Sequence, residues 1–155
     1  MFKKIFLMIL CLAFLSPQSI LAEAGSIEIV EVALARNIVD RQPANVFEPS
    51  GFCGRSEGKE NLIPVIHSKT DTLVYLWTRV KAPAEETLLC TWFKAGMGWE
   101  KMGEITLAVK KSDSYRTWSS KKIVPGVHNG KWMVVISRAS DPETALCKVD
   151  FEVID

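Results

Sequence analysis

The sequence predicts an all-β fold, and three observations lead to that prediction. Short runs in which apolar and polar residues alternate recur through residues 27–155, as they do in half-buried strands. Turn-forming residues, mainly Gly, Pro, Asn, Asp and Ser, separate these runs, and no heptad or amphipathic helical pattern competes with them. About seven strands in a domain of about 130 residues indicate one β-sandwich of the immunoglobulin or fibronectin-III type.

Each predicted strand follows from its own pattern. The strand-like segments are residues 27–36, 72–80, 87–94, 100–110, 115–123, 131–138 and 145–154. Residues 43–71 are expected to form a long irregular loop, and Cys53 at its centre suggests a crosslink that pins it. Alternation assigns these side chains to the core: Leu88, Cys90, Trp92, Ile105, Leu107, Val109, Trp132, Val134, Ile136, Cys147, Val149, Phe151 and Val153.

The amino terminus has the layout of a secretory signal peptide. Lys3 and Lys4 precede an apolar run over residues 5–15, which is too short for a helix that crosses a bilayer. We therefore expect residues 1–22 to be a cleaved signal, with cleavage after Ala22 or Ala24. The alternative is an uncleaved membrane anchor. Export would place the mature protein in the periplasm or outside the cell, without a membrane span.

Charge excludes one large class of partner. Loss of Lys3 and Lys4 with the signal leaves 17 basic residues of the 19 against 18 acidic ones, so the mature domain is almost neutral. Proteins that bind nucleic acid through its phosphates carry a basic surplus. We expect no nucleic-acid partner.

Three cysteines remain after cleavage: Cys53, Cys90 and Cys147. In an oxidising compartment one disulfide and one thiol are expected, and the residues alone leave all three pairings open. The third cysteine is most simply a buried, inert core residue. An intermolecular disulfide and a reactive or metal-binding thiol are the alternatives.

Catalytic and metal-binding patterns are not found in the sequence. His67 and His128 both fall in predicted loops, and nothing places either beside a nucleophile. Met97 and Met102 could suggest soft ligands for copper, but methionine in a Gly-rich bend is interpreted as packing. We predict that the protein is not an enzyme and carries no cofactor or metal.

One sheet face is the predicted binding surface. If the aliphatic side of segment 72–80 faces the core, its other side faces outward, and in common sandwich topology segment 115–123 lies beside it. Aromatic rings among guanidinium and hydroxyl groups suit a sugar or a carboxylate-bearing ligand. The candidate binding residues are Tyr75, Trp77, Arg79, Arg116, Trp118, Ser120 and Lys122. The alternative is that the aromatic residues pack under a neighbouring loop such as residues 43–71.

Several motifs resemble a bacterial family known as domain of unknown function 2914. They are YRTWSSK at 115–121, IVPG at 123–126, GKWMV at 130–134, RQP at 41–43 and WF at 92–93. The resemblance extends over most of residues 30–154. It implies a compact β-domain on exported or membrane-tethered proteins, with no established activity or cofactor.

This chain departs from the family pattern at two places. Cys90 stands where a His is expected shortly before the Trp, and the segment around Cys53 is longer than usual. A disulfide between Cys53 and Cys90 would explain both departures. The predicted function is a non-catalytic exported binding module whose ligand is a glycan, a cell-envelope polymer or a protein. The alternative is a thiol- or metal-linked periplasmic protein that uses the unpaired cysteine.

Overall fold

The computed structural model describes residues 25–48, 53 and 63–155. The predicted signal peptide and its cleavage sites at Ala22 and Ala24 lie outside these residues. The described residues contain no helix, so none that could cross a membrane is found among them. They form nine strands: β1 (Glu28–Val39), β2 (Gln42–Val46), β3 (Val65–His67), β4 (Leu73–Ala82), β5 (Glu86–Ala95), β6 (Trp99–Val109), β7 (Ser112–Lys122), β8 (Gly130–Arg138) and β9 (Asp141–Ile154).

The strands form two packed sheets, which confirms the predicted all-β sandwich. One sheet has the order β2-β1-β4-β7 and the other the order β3-β9-β8-β5-β6. Neighbouring strands are antiparallel except for β3, which runs parallel to β9. The strand order places β4 beside β7, as the sequence predicted for the candidate binding face.

The count of nine strands exceeds the predicted seven because two short strands fall almost wholly within residues 43–71. β2 has five residues and β3 only three, too few to show a clear alternation. β3 depends on its partner, since Ile66 is fully buried where it lies opposite Val153 of β9. Part of the segment that was expected to be irregular is therefore paired with the sheets.

The core forms from the strand faces that alternation had assigned to it. Trp92, Trp132 and Phe151 are fully buried, and their rings contact one another. The Trp92 ring meets Phe151 edge-on at 6.1 Å, and the Trp132 ring stacks on Phe151 at 5.9 Å. Such aromatic pairs add to the free energy of area burial. These rings belong to β5, β8 and β9, which are neighbouring strands of the five-stranded sheet, so this aromatic cluster packs on the inner face of that sheet.

The disulfide joins Cys53 to Cys147, with 4.9 Å between the Cα atoms. The predicted link between Cys53 and Cys90 is therefore wrong. Cys90 lies on the inner face of β5, where its Sγ is 2.9 Å from the hydroxyl oxygen of Ser119 on the opposite sheet. Cys90 is buried between the two sheets, whereas Cys53 is exposed on the surface. The two cysteines therefore lie in different parts of the fold. The prediction of one buried, unpaired core cysteine is confirmed.

Candidate functional site

The register between β4 and β7 brings the predicted binding residues together in cross-strand pairs. Directly opposite residues of an antiparallel pair share a face of the sheet. The pairs are Leu73 with Lys122, Tyr75 with Ser120, Trp77 with Trp118, and Arg79 with Arg116. The alternate residues of β4 point to the other side of the sheet and are buried in the core; they are Val74, Leu76, Thr78 and Val80. The seven candidate residues therefore lie on the outer face of the four-stranded sheet.

Trp77 lies on this face but is buried, with only 2% of its surface exposed. Its indole Nε1 donates a hydrogen bond to the carbonyl oxygen of Arg41 at 2.9 Å. Ala33 and Ala35 of β1, which lie opposite Trp77 and Tyr75 in register, are buried as well. The prediction that Trp77 is free to bind a ligand is wrong, because the turn at Arg41 contacts its indole.

This covering segment is the hairpin between β1 and β2. Asp40 and Arg41 form its two-residue turn, with φ angles of 49° and 62°. Two successive positive φ values are typical of the tight type I′ turn that closes twisted hairpins. The alternative interpretation, in which an aromatic residue packs under a neighbouring segment, thus holds for Trp77. The covering residue is in the turn rather than in residues 43–71.

Trp118 remains accessible, with 36% of its surface exposed. It lies on β7, which ends the sheet among the described strands. Lys122 is exposed on the same face, and Tyr75 and Ser120 are half-buried. An indole ring held on a strand, beside a buried Trp77, is a rigid platform with few side-chain conformations to lose when a ligand binds.

The charges on this face do not balance. Arg79 donates from Nε to Glu31 at 3.0 Å, and its Nη2 is 2.9 Å from the same carboxylate oxygen. Arg116 lies directly opposite Arg79, and like charges in that position repel. Within the described part of the chain, no carboxylate lies within ion-pair distance of Arg116, and its Nε is buried without a hydrogen-bond partner. Among the described residues, the Arg116 guanidinium therefore has no carboxylate partner, and its Nε–H has no acceptor.

Arg41 adds a third guanidinium group, which the sequence reasoning missed as a site residue. Its Nη2 donates to the carbonyl oxygen of Arg116 at 3.0 Å, and its guanidinium lies 5.9 Å from the ring centre of Tyr115. In the sequence, Arg41 belongs to the RQP motif at 41–43, and no other pattern includes it. Its contact with Arg116 spans 75 residues of sequence, a separation at which no local pattern indicates proximity.

The thiol that could have supported a redox or metal-linked role is inaccessible. Burial raises the pKa of Cys90 from 9.0 to about 12, against a smaller opposing effect of the Ser119 hydrogen bond. The reactive thiolate is then scarce at neutral pH. The same Ser119 hydroxyl accepts a hydrogen bond from Trp92 Nε1 at 3.1 Å. Cys90 is thus part of a small buried polar contact between the sheets.

His128 makes structural contacts, and the described residues offer no metal-binding cluster. His128 accepts a hydrogen bond at Nδ1 from the backbone N–H of Val124 at 3.1 Å, and its ring packs edge-on against Trp132. No group of three or more His, Cys, Asp or Glu residues that could hold a metal occurs in the described ranges. Met97 is fully exposed, which contradicts its interpretation as a packing residue.

The fold and this face define a two-sheet β-sandwich domain with a partly exposed aromatic and cationic surface on one sheet. A family model described as "Protein of unknown function (DUF2914)" matches residues 85–153. This match confirms the resemblance to that family over β5 to β9, a shorter range than the expected 30–154. The matched range includes Arg116 and Trp118, whereas Arg41 and the β4 residues precede it. No curated protein matches the chain.

Proposed function

We propose that this protein is a non-catalytic binding module, exported to the periplasm, that holds an acidic glycan on the outer face of β4 and β7. The observation that carries the proposal is the uncompensated Arg116 beside the accessible indole of Trp118. A ligand carboxylate would supply the missing counter-charge. A sugar ring would cover the indole.

The spacing on β7 suits such a ligand. Alternate residues of a strand lie on one face about 7 Å apart, so Arg116 and Ser120 flank Trp118 on its two sides. Indole rings pack against the apolar face of a sugar, and guanidinium groups bind carboxylates through paired hydrogen bonds. Lys122 lies about 13 Å from Trp118 along the same strand and extends the cationic row. An elongated polymer fits this row better than a small molecule, since the face is open rather than enclosed.

The disulfide supports the exported location. Disulfides form and persist in oxidising compartments and are rare in the bacterial cytoplasm, and Cys53 is joined to Cys147 across a separation of 94 residues. A crosslink of this kind agrees with the signal-like residues 1–22. Both features favour a module that works in the cell envelope, where acidic polysaccharides are available as ligands.

Isothermal titration calorimetry tests the proposal with oligogalacturonate as the acidic ligand and neutral galactose oligomers of equal length as the comparison. We expect the mature protein to bind the acidic oligomer and to bind the neutral one much more weakly. Trp118→Ala and Arg116→Gln should each weaken binding by roughly tenfold or more, the effect of losing about 1.4 kcal/mol.

Matched controls come from an exposed tryptophan and an exposed basic residue elsewhere on the surface. Trp99 is exposed at the β5–β6 hairpin and Lys131 is exposed at the start of β8, so Trp99→Ala and Lys131→Gln should leave the affinity unchanged. Equal binding of acidic and neutral oligomers would contradict the role of Arg116. Binding of polyglutamate in place of either sugar would show that the ligand is an acidic protein.

A further inference from the structure

The outer face of the five-stranded sheet carries apolar side chains along its two central strands. Leu88, Cys90 and Trp92 of β5 face the core, so the residues that alternate with them point outward. The outward residues of β5 lie opposite outward residues of β8, in the pairs Leu89 with Ser137, Thr91 with Val135, and Phe93 with Met133. Successive outward residues of a strand are about 7 Å apart, so these side chains form one surface. We call Leu89, Thr91, Phe93, Met133 and Val135 the outer stripe.

Charged side chains flank the outer stripe in a regular arrangement. Two rows of cross-strand neighbours run across β6, β5, β8 and β9; the first is Glu104, Thr91, Val135 and Lys148, and the second is Lys101, Phe93, Met133 and Asp150. The first row therefore runs from an acidic residue on β6 to a basic residue on β9. The second row runs from a basic residue to an acidic one. The stripe thus lies between two columns of alternating sign, and these four charges sum to zero.

Contacts within the chain hold the charged side chains of β6 beside the stripe. Lys101 Nζ lies 2.7 Å from a carboxylate oxygen of Glu104, and the Thr91 hydroxyl donates to the same oxygen at 3.1 Å. The hydrogen bond from Lys101, and after it the one from Thr91, lowers the pKa of Glu104, so this carboxyl group is ionised at neutral pH. Among the ion pairs of the described residues, none includes Lys148 or Asp150. Charges of both signs on β9 therefore remain available to a partner.

No described strand covers the outer stripe. Every described strand belongs to one of the two sheets, and the four-stranded sheet packs against the inner face of the other. Leu89, Phe93, Met133 and Val135 are half-buried, and Lys148 beside them is exposed. An apolar strip with a charged border is typical of a protein interface, whose centre is apolar and whose rim is polar.

We propose that the outer stripe is the interface between two copies of this chain. The two-fold axis lies in the plane of contact, runs parallel to the strands and passes midway between β5 and β8. This axis places β6 of each copy over β9 of the other. Each Glu104 then faces Lys148 of the second copy, and each Lys101 faces Asp150 of the second copy. The alternation of sign selects a second copy as the partner, because the same face supplies both halves of every charge pair.

The size of the face is sufficient for a weak, specific dimer. Four strands spaced about 4.8 Å apart span about 19 Å, and the nine residues of β8 span about 30 Å. Contact over this face covers about 570 Å² per copy, or about 1,100 Å² in total. That total lies above the threshold of about 1,000 Å² for a specific interface and below the standard size of about 1,600 Å². We therefore expect a dissociation constant in the micromolar range.

This interface is independent of the proposed glycan site. The seven candidate binding residues lie on the outer face of the four-stranded sheet, on the opposite side of the sandwich. Dimerisation is measured without a carbohydrate, so either proposal can fail alone. In the dimer the two glycan-binding faces point away from each other, and one dimer then joins two polymer chains.

Sedimentation equilibrium of the mature protein, from low micromolar to near-millimolar concentration, tests the proposal. We expect a reversible equilibrium between monomer and dimer. Met133→Lys places a charge at the centre of the interface and should weaken the dimer by roughly tenfold or more. Urea unfolding of this variant verifies that it is folded.

Two charge-swap variants test the axis at constant net charge. One exchanges the signs on β9, Lys148→Glu with Asp150→Lys, and the other exchanges those on β6, Lys101→Glu with Glu104→Lys. In either variant alone, like charges meet at all four contacts, so each should dimerise roughly tenfold more weakly. Mixing the two variants brings opposite charges together again and should restore the affinity of the unchanged protein to within roughly threefold.

The matched control exchanges two exposed charges away from the stripe, Lys111→Glu with Asp113→Lys, and should leave the dissociation constant unchanged. A protein that stays monomeric over the whole range overturns the proposal. A dimer that Met133→Lys leaves intact overturns it too, because that dimer uses another surface. If Met133→Lys is unfolded, the swap variants decide: self-association like that of the unchanged protein, or no dimer on mixing, overturns the proposal.

Discussion

Replacing Cys53 by Ser removes the disulfide while leaving the core almost untouched. Cys53 is exposed, and its partner Cys147 is buried in β9 opposite Ile136. The substitution therefore isolates the effect of the crosslink from effects of packing. The substitution acts mainly on the unfolded chain, whose conformational entropy rises when the crosslink no longer closes the loop.

The size of the effect follows from the length of the closed loop. The two cysteines are 94 residues apart in sequence. The loop-entropy relation then gives about 4.7 kcal/mol at 25 °C for the crosslink. Since small domains have a total unfolding free energy of about 5–15 kcal/mol, loss of the disulfide should remove a large part of the stability of this one.

Urea unfolding followed by tryptophan fluorescence measures this change. With a denaturant slope of about 2 kcal/mol per M, the midpoint should fall by roughly 2 M in Cys53→Ser. A reducing agent should lower the midpoint of the unchanged protein by the same amount and have no effect on Cys53→Ser. Cys90→Ser is the matched control and should keep its response to reduction. If reduction changes the unfolding free energy of the unchanged protein by less than about 1 kcal/mol, the entropy argument is refuted.

Other substitutions test the site and the core. Trp77→Ala should lower the unfolding free energy by about 3–5 kcal/mol, because it leaves a cavity in a buried position. Trp118→Ala should lower it by less than about 1 kcal/mol. Equal losses in urea unfolding would show that Trp118 is a core residue. Glu31→Gln should strengthen binding of oligogalacturonate in calorimetry, because it leaves Arg79 without its counter-charge; unchanged or weaker affinity would argue against a cationic site. The Cys90 thiol should resist a thiol reagent at pH 8 until the protein is unfolded. Because its pKa is raised from 9.0 to about 12 by folding, its contribution to stability is complete below pH 9 and is lost as the pH rises toward 12, which urea unfolding across that range would detect.

Alternation was sufficient to predict the strand faces of the core. Trp132, Val134 and Ile136 occupy every second position of β8, and all three are buried. A period of two needs only local sequence, since successive side chains of a strand point to opposite faces. The same reasoning placed Tyr75 and Trp77 on the outer face of β4, and the structure agrees with that placement.

The solvent exposure of the tryptophans on the outer face of β4 and β7 could not be predicted from alternation. Trp77 and Trp118 are equivalent in pattern and lie opposite each other, yet only Trp118 is accessible. The difference arises from Arg41, which contacts the Trp77 indole from 36 residues away. A contact at that separation depends on how the β1–β2 hairpin folds over the sheet, and the local sequence pattern does not predict that arrangement.

The amino-acid sequence by itself determined the class of fold, the inward side chains and the presence of one cysteine without a partner. It did so because strand alternation and turn chemistry are local properties, and because the three cysteines of the described residues cannot all pair with one another. Tertiary structure alone decided that Cys147 pairs with Cys53, that Trp77 is covered, and that Arg116 lacks a counter-charge. It also decided that the β5–β6 turn carries Met97 and Trp99 to an exposed end. Each of these depends on which distant segments meet, and that is settled when the two sheets pack together.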